Sequence, residues 1–200
     1  MRRVPVLATM LVTLAVAAMI ALGLWQLLDR RPQKLAFLQQ LAANPTRPAI
    51  PFPTRADERL LFRRATGRCA PPVVIRLAGA GAAGFRAIAT CGGGATPMMA
   101  QLGTTRDPNA HPVWGGGMVA GYIGHAPSGQ SLIGAALHPQ PTRLMLIAAE
   151  PVAGLAANPA PDLESVPNNH LAYAVQWFLF AGVAVVIYIL ALRRKGSSSK

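Results

Sequence analysis

The residues best suited to hold a cofactor stand at the start of the second of two long apolar segments. His170 precedes this segment, and Tyr173 and Trp177 follow at spacings that place all three on one helical face. A neutral imidazole is a common axial ligand of haem iron, and an ionisable residue beside an apolar segment indicates function. We therefore expect His170 to ligate a haem iron, with Tyr173 and Trp177 as walls of the pocket.

Aromatic, amide and basic side chains follow the first apolar segment. Trp25 and Gln26 lie at its end, and three cations come next, Arg30, Arg31 and Lys34. Guanidinium groups bind carboxylates and phosphates through paired hydrogen bonds. These cations suit haem propionates or lipid phosphates, with Trp25 and Gln26 as pocket residues.

The aromatic residues have a simpler interpretation that leaves His170 aside. Tryptophan and tyrosine are enriched at both membrane interfaces because their rings are amphipathic. Trp25, Tyr173 and Trp177 are also explained as an interfacial belt.

The remaining histidines favour no metal site. His111, His125 and His138 are about thirteen residues apart, without the close spacings of zinc ligands. A zinc-dependent periplasmic enzyme that uses these three histidines is the weakest alternative, because the ligand spacing is missing. No nucleophilic triad, phosphate-binding loop or paired carboxylate signature is present either. The glycine runs at 92–94 and 115–117 are interpreted as flexible turns.

Two uncharged segments, residues 4–28 and 171–192, must position the candidate site. As helices they are roughly 37 and 33 Å long, enough to cross a hydrocarbon core of about 30 Å. A cleaved signal ending near Ala15-Val16-Ala17 is the alternative for the first, but the apolar run continues well beyond Ala17. The predicted organisation is a tail at 1–3, transmembrane helices at 4–28 and 170–192, an exported domain at 29–169 and a tail at 193–200.

Basic residues precede the first apolar segment and follow the second. The tails contain no acidic residue but several basic ones, Arg2, Arg3, Arg193, Arg194, Lys195 and Lys200, which predicts two cytoplasmic termini and an exported central domain. The expected location is a bacterial inner membrane with a periplasmic central domain, and the intermembrane space is the alternative for that domain. The helices are then antiparallel, so Trp25 and His170 lie at one depth. The pI of about 11.4 follows from this topology and from contact with anionic lipids, and nucleic acid is not an expected partner.

The central segment is predicted to form a small, mainly antiparallel β-sheet or half-barrel of α+β class. A short amphipathic helix should span Lys34 to Ala42 and end at Asn44-Pro45. Gly92 to Pro112 is predicted to be a long loop. Six short runs predict strands, Leu60–Thr66, Val73–Leu77, Gly84–Thr90, Gly117–Ile123, Ser131–Leu137 and Arg143–Ala149.

Cys69 and Cys91 lie in the predicted exported domain, and disulfides persist in the oxidising compartment to which it is exported. A hairpin turning at residues 79–81 would place Ile75 opposite Phe85 and the two cysteines opposite each other. A cross-strand disulfide is the expectation, with free thiols or a metal-binding pair as alternatives, because Pro71-Pro72 disturbs the strand next to Cys69.

Two motifs make the chain similar to a known family. Leu22-Gly23-Leu24-Trp25-Gln26, and Pro167 to Ala174 leading into Trp177-Phe178, resemble the end motifs of the Surfeit locus protein 1 (SURF1) family. Thr66-Gly67-Arg68, Gly84 to Ile88 and Gly121-Tyr122-Ile123 resemble weaker central positions. The chain departs from the family in three ways: Arg30 and Lys34 stand fifth and ninth after the tryptophan instead of fourth and eighth, an asparagine-arginine pair before the central glycine is absent, and the exported domain is shorter.

The resemblance implies an assembly factor for cytochrome c oxidase, not an enzyme. It implies that haem A is received from haem A synthase and inserted into oxidase subunit I, and that His170 takes part in binding it. Membrane lipids are expected partners, and self-association stays open because one chain or two could hold the haem. The alternative is a cofactor-free membrane scaffold that stabilises an oxidase intermediate.

Overall fold

The chain is divided into a helical unit and a sheet unit. A computed structural model describes residues 5–92, 97–138, 141–152 and 154–197. The helical unit comprises Met1–Leu38 and Glu164–Lys200, and the sheet unit comprises Gln39–Leu163. The predicted tail at 1–3, the last three residues of the other tail and part of the glycine turn at 92–94 lie outside the described residues.

Two long apolar helices near the ends of the chain flank a series of short strands. The helices are α1 (Val6–Trp25), α2 (Arg31–Ala42), α3 (Leu132–Leu137) and α4 (His170–Ser197). The strands are β1 (Ile50–Pro51), β2 (Arg64–Cys69), β3 (Val73–Gly79), β4 (Phe85–Cys91), β5 (Met98–Thr105), β6 (Gly117–His125) and β7 (Leu144–Ala148).

Two helices are long and apolar enough to cross a membrane. Their most apolar windows have mean hydropathies of 2.4 and 2.3, and only 6% of each window is buried inside the structure. Large apolar side chains that a protein core does not cover need another apolar environment. The helices therefore have the composition and exposure of membrane anchors.

Helices α1 and α4 pack against each other in antiparallel fashion. The Thr9 hydroxyl near the start of α1 bonds to the Tyr188 hydroxyl near the end of α4 at 2.5 Å. Small residues allow the close approach, because Ala174 on α4 is buried and a Cβ on Gly23 would lie 2.6 Å from the Phe178 ring. The end of α1 and the start of α4 consequently come together.

Helix α1 continues without a break into α2. A π-helical turn, Gln26–Arg30, joins them into one helical stretch that runs from Val6 to Thr46. The predicted amphipathic helix at Lys34 to Ala42 is the last α-helical part of this stretch, and it ends at Ala42 as the following Asn44-Pro45 predicts. A 3-10 turn at Asn44–Thr46 completes the stretch.

The sheet has seven strands in the order β1-β2-β6-β7-β5-β4-β3 and is mixed, so the prediction of a mainly antiparallel sheet is wrong. Strand β1 pairs with β2 and β5 pairs with β7 in parallel. The physical reason is an insertion. The connection from β5 to β6 leaves a space of one strand, and β7 fills it antiparallel to β6 and therefore parallel to β5.

Three local predictions differ from the structure. Strand β5 lies inside the segment predicted to be a long loop, and Ser131 to Leu137 contains helix α3 instead of a strand. The Ser131 side chain caps α3 by accepting a hydrogen bond from the Gly134 N–H at 3.1 Å. The strand predicted at Leu60–Thr66 begins only at Arg64, because Glu58–Leu60 is a 3-10 turn and Phe62 has a φ of 63°.

The hairpin of β3 and β4 forms, but its predicted register is wrong by four residues. Ile75 faces Ala89, and Val73 faces Cys91, because the turn spans the five residues 80–84. Cys69 and Cys91 are nevertheless joined as a disulfide, with their Cα atoms 4.9 Å apart. The bond links the ends of β2 and β4, which are not neighbours in the sheet, so the sheet curves until these ends meet.

Candidate functional site

The end of α1 and the start of α4 meet through one polar contact. The His170 Nδ1 atom lies 2.8 Å from the Gln26 Oε1 atom, and both side chains are partly buried. Since an amide oxygen only accepts hydrogen bonds, Nδ1 carries the hydrogen and donates it. In the neutral imidazole with this tautomer, the lone pair is on the other ring nitrogen, Nε2.

Local sequence explains why His170 stands at this position. His170 is the first residue of α4, and the helix is anchored there by the Tyr173 N–H, which donates to the Asn169 carbonyl at 3.0 Å. The preceding Pro167 resists helical structure in residue 166 but leaves 168–170 free to begin a helix. The imidazole is thereby held at a rigid helix terminus.

The π turn positions a cation over an aromatic ring. The Arg31 N–H donates to the Gln26 carbonyl, five residues back, which is the bonding pattern of a π turn. Residues five apart then share a face, and the Arg30 guanidinium carbon lies 5.3 Å from the centre of the Trp25 ring. The turn therefore brings the Arg30 side chain back over Trp25.

The charged residues beside Arg30 form no ion pairs with one another among the described residues. The Lys34 ammonium lies 5.2 Å from the centre of the Phe37 ring. The one acidic residue of the turn, Asp29, accepts a hydrogen bond from the Gln33 amide at 2.9 Å and forms no salt bridge to Arg30 or Arg31 among the described residues. The positive charge of the turn therefore remains available to an anionic ligand.

Tyr173 and Trp177 are less closely joined to the site than the sequence predicts. Tyr173 is half exposed, and Trp177 packs edge-on against Phe180 with ring centres 6.2 Å apart. Within the part of the chain that the structure describes, neither ring forms a hydrogen bond or ring contact with His170 or Trp25. Their role as pocket walls stays a prediction.

A buried polar atom of Asn168, near His170, was not among the predicted site residues. The Asn168 Oδ1 atom is buried and has no hydrogen-bond partner. A buried acceptor without a donor is costly, so each such group needs an explanation. Its place two residues before His170 was the available signal, and a ligand with a hydroxyl group would supply the missing donor.

The remaining titratable groups that the structure describes form no metal-binding cluster. Across the described ranges, no cluster of three or more His, Cys, Asp or Glu side chains can hold a metal ion. The His125 Nε2 atom lies 2.6 Å from Glu58, and both side chains are about half exposed. A hydrogen bond from Arg59 holds the pKa of the neighbouring Asp57 below its usual value.

Comparison with known proteins identifies the family of the chain. Searches of curated proteins and of solved structures gave no match. The sequence model of the SURF1 family matches residues 13–182, which include both end motifs and most of the chain. The chain therefore belongs to the SURF1 family, a membrane-associated family of factors with a role in assembling cytochrome c oxidase.

Proposed function

We propose that this protein binds haem A at the outer face of a bacterial inner membrane and promotes its insertion into oxidase subunit I. In this proposal α1 and α4 cross the membrane, both termini are cytoplasmic, and the sheet unit is periplasmic. The basic residues Arg193 and Arg194 at the end of α4 and the uncharged faces of both helices support this orientation.

The contact between His170 and Gln26 is the observation that carries the proposal. Histidines that ligate metals usually donate their second ring nitrogen to an oxygen acceptor, which fixes the tautomer and the orientation of the ring. Gln26 provides this acceptor at 2.8 Å and leaves Nε2 to bind iron.

The surrounding groups fit the periphery of haem A. Arg30, Arg31 and Lys34 have the opposite charge to the propionates, and Trp25 and Tyr173 are about half exposed. The hydroxyl group on the isoprenoid side chain of haem A could donate a hydrogen bond to Asn168 Oδ1, which has no partner in the structure. Haem A is the cargo, and its iron supplies the coordination bond to histidine.

Delivery of the cargo requires that binding be reversible. The site offers one histidine, and its imidazole is only partly buried, so a second ligand from an acceptor protein can approach. Haem A synthase is the proposed donor and subunit I the proposed acceptor. Lipid phosphates compete for the same cations when haem is absent, and two copies of the chain sharing a haem is a variant of the proposal.

Co-expression with the enzymes of haem A synthesis tests the function. The purified chain should contain haem A, detected by its absorption bands and by extraction. A protein without haem that still co-purifies with subunit I would support the cofactor-free scaffold instead.

Substitution of Gln26 tests whether haem binding depends on the orientation of the His170 ring, because the ring itself is kept. Gln26→Leu should reduce haem retention by about tenfold, because His170 loses the acceptor that orients it. Gln26→Glu should retain haem and lower its reduction potential, because a carboxylate makes the imidazole a stronger electron donor. Haem content and potentiometric titration measure these effects, and a wild-type result for both variants would remove Gln26 from the site.

A further inference from the structure

The sheet unit contains a groove that the haem proposal does not use. A cavity of about 700 Å³ is lined by residues of β1, β2, β5, β6 and the segments beside them. We name it the β2-edge groove. The lining residues on which the proposal depends are Phe52, Arg55, Arg68, Met98, Met118 and Arg143. Its volume falls within the range of ligand-binding sites.

We propose that the β2-edge groove binds an extended, acidic segment of a partner protein. Binding there requires neither His170 nor haem. The proposal concerns a macromolecular ligand with carboxylate groups and apolar side chains in alternation, and it is supported by charge, by wall composition and by an uncovered strand edge.

Charge in the groove has one sign. Arg55, Arg68 and Arg143 line it, all three are exposed, and no acidic residue is among the lining residues. Within the described ranges, none of the three forms a salt bridge. Arginine binds carboxylates through two parallel hydrogen bonds, so three unpaired arginines around one groove select an anionic partner.

The walls have the composition of a protein interface. Interfaces are enriched in aromatic residues, methionine and arginine and depleted in lysine and acidic residues. Phe52, Met98 and Met118 provide such walls, and Met118 is 65% exposed, which leaves apolar surface uncovered. Methionine adapts its shape to different apolar side chains, which suits a peptide ligand.

An unpaired strand edge adjoins the groove. Strand β1 covers β2 only at Ala65 and Thr66, and the Phe52 N–H donates to the Thr66 carbonyl at 2.8 Å. Because backbone polar groups alternate in direction along a strand, those of Arg68 face the same side as those of Thr66. No described strand pairs with Arg68 there, so an extended peptide can add to this edge by backbone hydrogen bonds.

Fluorescence anisotropy with the full-length protein in an uncharged detergent tests the proposal. The probe is a short fluorescein-labelled peptide of alternating Glu and Leu, and its control has Gln in place of Glu. The Glu peptide should bind at least about tenfold more tightly and lose affinity as salt is added. Methylation of its backbone nitrogens should weaken binding, because donors to the strand edge are removed.

Charge reversal identifies the site of binding. The double variant Arg68→Glu with Arg143→Glu should lose at least about tenfold in affinity. The matched control, Arg76→Glu with Arg106→Glu, makes the same change in net charge at two exposed arginines outside the groove and should bind like the wild type.

Three results would overturn the proposal. One is equal affinity for the Glu and Gln peptides, and another is equal affinity of the two double variants for the Glu peptide. The third is displacement of the peptide by nanodiscs containing phosphatidylglycerol but not by phosphatidylcholine nanodiscs, which would assign the groove to lipid.

Discussion

His170→Ala, purified from cells that make haem A, is expected to contain less than about one tenth of the wild-type haem per polypeptide. The loss is large because a coordination bond to iron disappears, whereas the other proposed contacts are single hydrogen bonds, ion pairs or ring faces. The helices should remain paired, because Thr9 and Tyr188 and the buried Ala174 are unaffected. Absorption spectra and extracted haem provide the measurement.

Two controls make this result specific. His111→Ala removes an exposed histidine from the sheet unit and should leave haem content unchanged. His170→Gly supplemented with imidazole should regain part of the haem bands, since free imidazole can occupy the vacated position. A His170→Ala protein with full haem content would mean that another residue holds the iron.

Gly121→Ala is expected to lower the unfolding temperature of the sheet unit by about 10 °C or more. Gly121 pairs with Ala148 on β7, and a Cβ at position 121 would lie 1.8 Å from the Ile147 carbonyl oxygen. Backbone atoms of a central strand cannot rotate away, so the β6 and β7 strands must separate. Thermal unfolding followed by the β-sheet signal of circular dichroism measures the effect.

Gly79→Ala is the matched control for this substitution. Gly79 is also in a strand, but no atom lies within 4 Å of the position that its Cβ would occupy. Its unfolding temperature should stay within about 2 °C of the wild type, as for an ordinary surface substitution. Equal unfolding temperatures of the two variants would show that the close approach of β6 and β7 is not as described.

Sequence predicted the helical unit better than the sheet unit, because long uncharged runs have few alternative structures. The meeting of the Trp25 and His170 neighbourhoods followed from antiparallel helices, and the contact of Gln26 with His170 agrees with it. The π turn was not predicted from the sequence, and only the structure shows that it places Arg30 over the Trp25 ring.

Strand β5 was missed because polar and glycine residues interrupt its apolar pattern. Gln101 is buried there only because its amide donates to the Asn158 side chain at 2.7 Å, a partner far away in sequence. Gly103, with a φ of 155°, allows Leu155 to approach β5 closely. A local sequence pattern cannot predict partners that are this far away in sequence. For the same reason it could not predict that β7 inserts between β5 and β6 and makes the sheet mixed.

Cysteine accessibility labelling in intact cells tests the central claim most directly, namely that the end of α1 and the start of α4 share the outer membrane face. Both native cysteines are joined in the disulfide, so a single introduced cysteine is the only free thiol. Leu28→Cys and Asn169→Cys should react with a membrane-impermeant maleimide, and Arg193→Cys should react only after lysis. Labelling of positions 28 and 169 from opposite sides of the membrane would contradict the account.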